Sequence, residues 1–195
     1  MTLFLEHLPH SLPEWLERDA AANDAIAMVE RELRHTVALM NTAGLFHFDA
    51  HLDNILTDGH RLYVADFGLA TSTSFELSPT EWSFVAANAS HDACHTITRL
   101  VDWLVARFTD VPDWQARDAC VAACAGGDHD LTGVPPAAAA VIRRYAPIAV
   151  VVNEFYRRLH LDDRRTPYRA DAVRRAAATT GFAMPWVAPT PLSSG

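Results

Sequence analysis

The chain has 195 residues, half of them apolar, which is long enough for one domain with a sizeable core. Its formal net charge of −8 argues against a nucleic-acid partner, and all 16 of its basic residues are arginine. Three cysteines, no leader-like start and no apolar run of about 18 residues predict a cytoplasmic protein without disulfides or membrane contact.

The N-terminal segment predicts one strand, a linker and a short helix. Residues 2–5 are apolar, and the strand is expected to end near Glu6. Two prolines follow, so a linker is predicted to lead to a short helix over residues 13–18. An ordinary edge strand is the simplest interpretation of residues 2–5.

Residues 19–43 predict one long amphipathic helix that ends at Gly44. Its apolar positions recur every three or four residues: Ile26, Val29, Leu33, Val37 and Met40.

Over residues 45–52, polar His47, Asp49 and His51 alternate with apolar residues, which is typical of a half-buried strand. The same alternation, extended to Asp53, could also ligate a hydrolytic metal ion such as zinc. The pattern by itself leaves both interpretations open.

The next residues predict a small hairpin. Two apolar strands, 54–57 and 61–65, flank Asp58-Gly59, a pair that supplies the positive backbone angles of a two-residue turn. The second strand ends at Asp66. Because a hairpin returns the chain to its starting point, Asp49, Asn54 and Asp66 are predicted to converge.

The remaining chain predicts helices. Residues 71–74 are polar and predict a loop, and Ser78 and Glu81 have the spacing of a capping box at a helix start. Further helices are predicted over 91–108, 114–125, 135–145, 147–161 and 168–180, with a loose tail over 184–195.

The order of these motifs resembles the catalytic core of the protein kinase-like superfamily: His47-x-Asp49-x-x-x-x-Asn54, a hairpin, then Asp66-Phe67-Gly68. His51 makes the pattern more similar to antibiotic and other small-molecule (aminoglycoside-type) phosphotransferases. The Asp-Phe-Gly triplet favours this interpretation, since neither a plain strand nor a zinc hydrolase has a use for it. No Ala-Pro-Glu motif follows, unlike in ordinary protein kinases.

The resemblance implies a mainly α (α+β) fold, a protein kinase-like C-lobe with a short hinge strand and a small β-hairpin at its catalytic edge. This lobe would span residues 1–183, with a hinge at 1–9, a catalytic loop at 47–54 and the Asp-Phe-Gly segment at 66–68. Glu6 and Leu8 would then face the adenine of ATP.

The resemblance also implies roles for the polar residues. Asp49 would orient the substrate hydroxyl and take its proton late, and Asn54 and Asp66 would bind Mg²⁺ at the phosphates of ATP. His47 would be a structural residue that bonds backbone. His51 would either make a structural bond or orient Asp49.

Three other residues have two interpretations each. Asp92 would either brace the catalytic loop, as an acid there does in kinases, or cap its own helix. Cys120 and Cys124 lie one helical turn apart and could form half of a metal site. No second pair has suitable spacing, so small core residues are the favoured interpretation.

Kinase-like enzymes also use a glycine-rich strand pair and a lysine to hold the phosphates. Neither is present in these 195 residues. The sequence therefore predicts an ATP- and magnesium-dependent phosphotransferase acting on a substrate hydroxyl, as a fragment without most of its N-lobe or with that lobe on a separate chain. The alternatives are an inactive pseudokinase-type binding module and, third, a metal-dependent hydrolase.

Overall fold

The computed structural model describes residues 7–19 and 23–183. This part of the chain is mainly helical with two small antiparallel sheets. The strand predicted over residues 2–5, Glu6 and the tail predicted over 184–195 lie outside the described residues. Among the described helices, none combines the length and apolar character needed to cross a bilayer.

Within the described residues the helices are α1 (Leu12–Asp19), α2 (Asn23–Thr42), α3 (Pro79–Ala87), α4 (His91–Phe108), α5 (Trp114–Gly126), α6 (Pro136–Leu161) and α7 (Ala170–Thr180). The strands are β1 (His10–Ser11), β2 (Leu45–Phe46), β3 (Ile55–Thr57), β4 (Leu62–Val64) and β5 (Thr71–Ser72). Short 3-10 turns cover Leu52–Asn54 and Phe67–Leu69.

The long N-terminal helix has the predicted buried face. Asp19, the predicted first residue, is described as part of α1, residues 20–22 lie outside the described residues, and α2 is described from Asn23. All five of its predicted apolar positions are buried. The helix ends before Gly44, whose φ of +74° favours glycine. A Cβ there would lie 2.0 Å from the Thr73 hydroxyl oxygen, so the close approach of the Thr73 side chain also favours glycine.

Helix α4 forms the centre of the core and has the predicted bounds. It packs against α2, α5 and α6, and residues on nearly every side of it are buried. Because α4 is surrounded by other elements, its buried polar side chains need hydrogen-bond partners in the interior.

The prediction of two helices over 135–145 and 147–161 is wrong, because α6 runs unbroken through Pro147. A proline in a helix interior costs about 3 kcal/mol, since it removes one N–H donor and crowds the preceding turn. Burial on both sides of the proline outweighs this local cost. The neighbouring residues with no exposed surface are Tyr145, Ala146, Ile148 and Ala149.

The strands differ from prediction in three places. The alternating pattern over 45–52 forms a strand only at Leu45–Phe46, and the expected loop at 71–74 contributes β5, which pairs with it. The β1 strand, within the expected linker, adds to the hairpin in the order β1-β3-β4. These pairings join segments far apart in sequence, which local patterns do not reveal.

The hairpin turn has four residues rather than two, because Thr57 pairs with Leu62. The Asp58 carboxylate accepts the N–H groups of His60 and Arg61, both at 2.8 Å, and Gly59 has a φ of +88°. The aspartate side chain therefore closes a wider turn than Asp-Gly alone predicts.

The C-terminal helices are close to prediction. Ser78 and Glu81 form the predicted capping box at the start of α3. Helix α5 ends at Gly126, and Gly127 follows with a φ of +82°. Helix α7 starts at residue 170 instead of 168.

Candidate active site

The predicted catalytic loop, residues 47–54, lies between β2 and the hairpin, and the His47 side chain has no exposed surface. The Nε2 atom of His47 lies 2.8 Å from the carbonyl oxygen of Ala65, so it is the protonated nitrogen and donates. The other ring nitrogen, Nδ1, accepts the backbone N–H of Asp49 at 3.2 Å. His47 thus joins the loop to the end of β4 and has the structural, backbone-bonding geometry that the sequence suggests.

This arrangement leaves His47 without a free ring nitrogen. A zinc site built from the alternating residues His47, Asp49, His51 and Asp53 would need one of those nitrogens as a ligand. The geometry therefore disfavours the metal-hydrolase interpretation of this segment.

Asn54 holds Asp49. Its Nδ2 atom donates to the backbone carbonyl of Asp49 at 3.0 Å and lies 3.4 Å from the Asp49 carboxylate oxygen Oδ2. The Asp49 side chain keeps 38% of its surface exposed, so its carboxylate remains accessible. Because the amide nitrogen faces Asp49, the Oδ1 atom of Asn54 is the atom available to a cation.

The hairpin brings Ala65, the residue before Asp66, beside Asn54. The N–H of Ala65 donates to the carbonyl of Asn54 at 2.8 Å, and Asp66 follows directly. Asp66 has a φ of +55°, and its carboxylate accepts the N–H of Gly68 at 3.3 Å. The Phe67 ring packs 5.0 Å from the ring of His47. The end of β4 and the catalytic loop are therefore held side by side.

The position of His51 does not fit a role in orienting Asp49. Its Nε2 atom lies 3.8 Å from the Asp49 carboxylate, too far for a hydrogen bond. Its Nδ1 atom lies 3.3 Å from the Asp53 carboxylate without hydrogen-bond geometry. Asn54, and not His51, is therefore the residue placed to donate to the Asp49 carboxylate.

Leu8, the second residue predicted to face adenine, is half-buried and precedes β1. Glu6, the first residue predicted to face adenine, lies outside the described residues.

Asp92 braces the loop from α4. Its carboxylate accepts the N–H groups of His47 and Phe48, both at 2.8 Å, and the amide of Asn41 at 3.0 Å. These bonds go to the loop and to α2 rather than to the first turn of α4, so the brace is favoured over the helix cap.

Burial alone would raise the pKa of Asp92. Hydrogen bonds from His91, the N–H of His47 and Asn41 outweigh it, and the pKa lies below its ordinary value of 3.8. The carboxylate is therefore charged at neutral pH although its side chain has no exposed surface.

Phe48 adopts a left-handed backbone conformation with a φ of +60°. For a non-glycine residue this costs about 1 kcal/mol or more. The charged hydrogen bond from its N–H to Asp92 and ring packing against Phe84, at 5.2 Å between centroids, offset that cost.

A chain of hydrogen bonds leads from Asp92 across the core to α6. Arg99 Nε can only donate, so the His95 Nε2 atom 2.9 Å away accepts, and its Nδ1 carries the proton toward the Tyr156 hydroxyl at 3.1 Å. Tyr156 then donates to His91 Nε2 at 2.8 Å, and His91 Nδ1 faces Asp92 at 3.5 Å.

The charge state of His95 agrees with this direction. Burial, then the proximity of His91 and of the Arg99 guanidinium, hold the pKa of His95 well below its ordinary value of 6.5. His95 is thus neutral near pH 7 and can accept the Arg99 hydrogen bond.

A cavity of about 290 Å³ lies where this chain of hydrogen bonds reaches α5 and α6. It is lined by Arg99, Tyr156, Trp114, Arg117, Asn153 and Arg157, among others. Its arginines are paired with acids at 2.7–3.2 Å, so the wall carries both charges. The hydroxyl of Tyr156 connects this wall to the catalytic loop.

Tyr156→Phe is expected to lower the free energy of unfolding by about 2 kcal/mol, because two buried ring nitrogens lose their partner. Urea denaturation followed by circular dichroism measures the change. Tyr63→Phe is the matched control, since its hydroxyl bonds an exposed turn residue, and it should change stability far less. Equal effects of the two variants would contradict a role for the buried bonds.

Sequence reasoning missed His91, His95 and Tyr156 as support for the loop. A signal was present: residues 91, 95 and 99 are His, His and Arg at four-residue intervals, which places them on one face of α4. Polar residues on a core-facing stripe indicate a buried polar network rather than a solvated face.

A comparison of this chain with protein-family models, curated proteins and solved structures found no match. Any functional assignment therefore rests on the residues and their geometry.

Proposed function

We propose that this chain is the C-terminal lobe of an ATP- and magnesium-dependent phosphotransferase that moves the γ-phosphate to a substrate hydroxyl. The observation that carries the proposal is the position of Asn54, whose side chain bonds Asp49 and whose backbone carbonyl accepts the N–H of Ala65, directly before Asp66. These bonds bring the backbone that precedes Asp66 beside Asn54, which supports a shared site for the three side chains.

The residues divide the work by their chemistry. Asp49 is partly exposed and held by Asn54, so it can accept a hydrogen bond from an incoming hydroxyl and take the proton late. The Oδ1 atom of Asn54 and the carboxylate of Asp66 supply hard oxygen ligands of the kind Mg²⁺ prefers. When bound, Mg²⁺ supplies charge neutralisation at the phosphates.

The groups behind these residues keep them in place. Asp92 holds the backbone of His47 and Phe48, and His47 ties the loop to Ala65. Catalytic groups need such fixed supports, because small displacements weaken the alignment on which phosphoryl transfer depends.

Cationic groups that bind the ATP phosphates would have to come from outside these 195 residues. The chain has no lysine, and Phe67 and Leu69 beside Asp66 are 47% and 67% exposed. Removing one such electrostatic donor from a phosphoryl-transfer site costs about 3 kcal/mol. The proposal therefore includes a nucleotide-covering lobe outside these 195 residues, either on the same polypeptide or on a separate chain.

The chain alone is expected to bind Mg-ATP with a dissociation constant of about 1 mM or weaker and to show negligible turnover. The reason is that, of the described residues, only Asn54 and Asp66 would hold the metal, and the phosphates would stay open to water. Isothermal titration calorimetry measures the affinity. Micromolar binding by the isolated chain would contradict this expectation.

Paramagnetic NMR tests the proposed function despite weak affinity. Mn²⁺ replaces Mg²⁺, and Mn-ATP is titrated into the ¹⁵N-labelled chain. Amide signals of residues 47–54 and 64–69 are expected to broaden selectively. Asp66→Asn should abolish the broadening, whereas Asp110→Asn, an exposed aspartate in the loop after α4, should leave it unchanged. Broadening that spares these two segments, or that survives Asp66→Asn, would exclude the proposed site.

A further inference from the structure

A second cluster of ligand-type side chains lies at the end of α5, away from the catalytic loop in sequence. Cys120 and Cys124 are buried on the last turns of this helix. The helix ends at Gly126, and the left-handed Gly127 reverses the chain. That reversal brings His129 back beside the two thiols.

The distances fit a tetrahedral metal site. One ligand atom from each of Cys120, Cys124 and His129 lies within 4.8 Å of the others. The Cys120 sulfur is 3.5 Å from His129 Nε2. Zinc–sulfur and zinc–nitrogen bonds of about 2.3 and 2.05 Å at a tetrahedral angle place those two atoms about 3.6 Å apart. Little movement is needed to admit an ion.

We propose that Cys120, Cys124 and His129 bind one soft divalent cation of the Zn²⁺ type, with a fourth position left for water or an added ligand. The site would be independent of the proposed phosphotransferase activity, since it shares no residue with the catalytic loop. Two thiolates and a neutral imidazole balance the charge of a divalent cation, and thiolate sulfur selects Zn²⁺ over Mg²⁺.

The position of the cluster allows entry from the surface. The two cysteines are 8% and 6% exposed, and His129 is half-buried in the loop that leads to α6. Coordination by a cysteine releases its thiol proton to solvent.

Within residues 7–19 and 23–183 this is the one group of three or more His, Cys, Asp or Glu with ligand atoms this close together. The sequence pattern is Cys-x-x-x-Cys followed by His five residues later. The third ligand, His129, is a single residue after the left-handed Gly127 and not part of a second ligand pair. Motif spacing therefore does not reveal it.

Cobalt substitution tests the site directly. The reduced 195-residue chain, freed of metal with a chelator, is titrated with Co²⁺ under anaerobic conditions. One equivalent is expected to produce a thiolate-to-cobalt charge-transfer band and the intense visible bands of a tetrahedral ion, and Zn²⁺ should then remove both. In the same protein, Zn²⁺ at a hundredfold excess over its dissociation constant should raise the unfolding midpoint by about 5 °C.

Variants assign the ligands. Cys124→Ser is expected to weaken Co²⁺ binding at least tenfold and reduce the charge-transfer intensity. His129→Ala should do the same, and its loop position keeps it informative if the cysteine variant fails to fold. His160→Ala, an exposed histidine on α6, is the matched control and should bind as the wild type does. Absence of the charge-transfer band, or equal binding by wild type and His129→Ala, would overturn the proposal in favour of cysteines that only fill the core.

Discussion

Replacing Asp92 by asparagine is expected to lower the free energy of unfolding by about 3 kcal/mol. The wild-type carboxylate accepts hydrogen bonds from two backbone N–H groups of the loop, those of His47 and Phe48, and from the side chain of Asn41. An asparagine has one acceptor oxygen and places an NH₂ group against the remaining donors. Phe48 would then keep its left-handed conformation without its charged partner.

The effect of Asp92→Asn should depend on pH with a definite sign. The pKa of Asp92 is lower in the folded protein than its ordinary value of 3.8, so its contribution is present above that pH and is lost as the pH falls through the folded pKa. The stability difference between wild type and variant should therefore shrink below about pH 4. Urea denaturation at a series of pH values measures it.

Asp102→Asn is the matched control, because Asp102 is a second buried aspartate on α4. Burial raises the pKa of Asp102, which Arg117, Asn153 and Arg99 only partly oppose. A raised folded pKa favours the folded state most at low pH, and that contribution is lost as the pH rises through the folded pKa. The difference between wild type and Asp102→Asn should thus grow on acidification. The same pH trend in both variants would contradict the assigned brace.

His47→Ala is expected to cost about 3–4 kcal/mol. The ring has no exposed surface, so its removal leaves a cavity, and the carbonyl of Ala65 and the N–H of Asp49 both lose their partner. Guanidinium denaturation measures the loss. The expected loss is large because one side chain joins the loop to the end of β4.

The control for His47→Ala is His60→Ala, an exposed histidine in the turn of the same hairpin, which should leave stability close to that of wild type. A second readout separates lost packing from a lost connection. In His47→Ala the amide signals of residues 66–68 should shift together with those of residues 49–54. A loss below 1 kcal/mol with unchanged shifts would show that another contact joins the two segments.

The amino-acid sequence by itself determined the helices whose buried face repeats regularly. The bounds of α4 and the five buried apolar positions of α2 could be predicted, because burial on one side imposes a period of three to four residues. The capping box of α3 was equally local, since Ser78 and Glu81 satisfy each other within one turn. The likeness to a kinase-like motif was also a property of the sequence, and it stays a prediction.

Tertiary structure decided whatever depended on partners distant in the chain. Pro147 stays inside α6 because its neighbours are buried against other helices, and β5 exists because residues 71–72 find β2. Asn54 rather than His51 bonds Asp49, and His129 reaches two cysteines through a glycine reversal. In each case the local preference is worth a few kcal/mol at most, and packing between remote segments outweighs it.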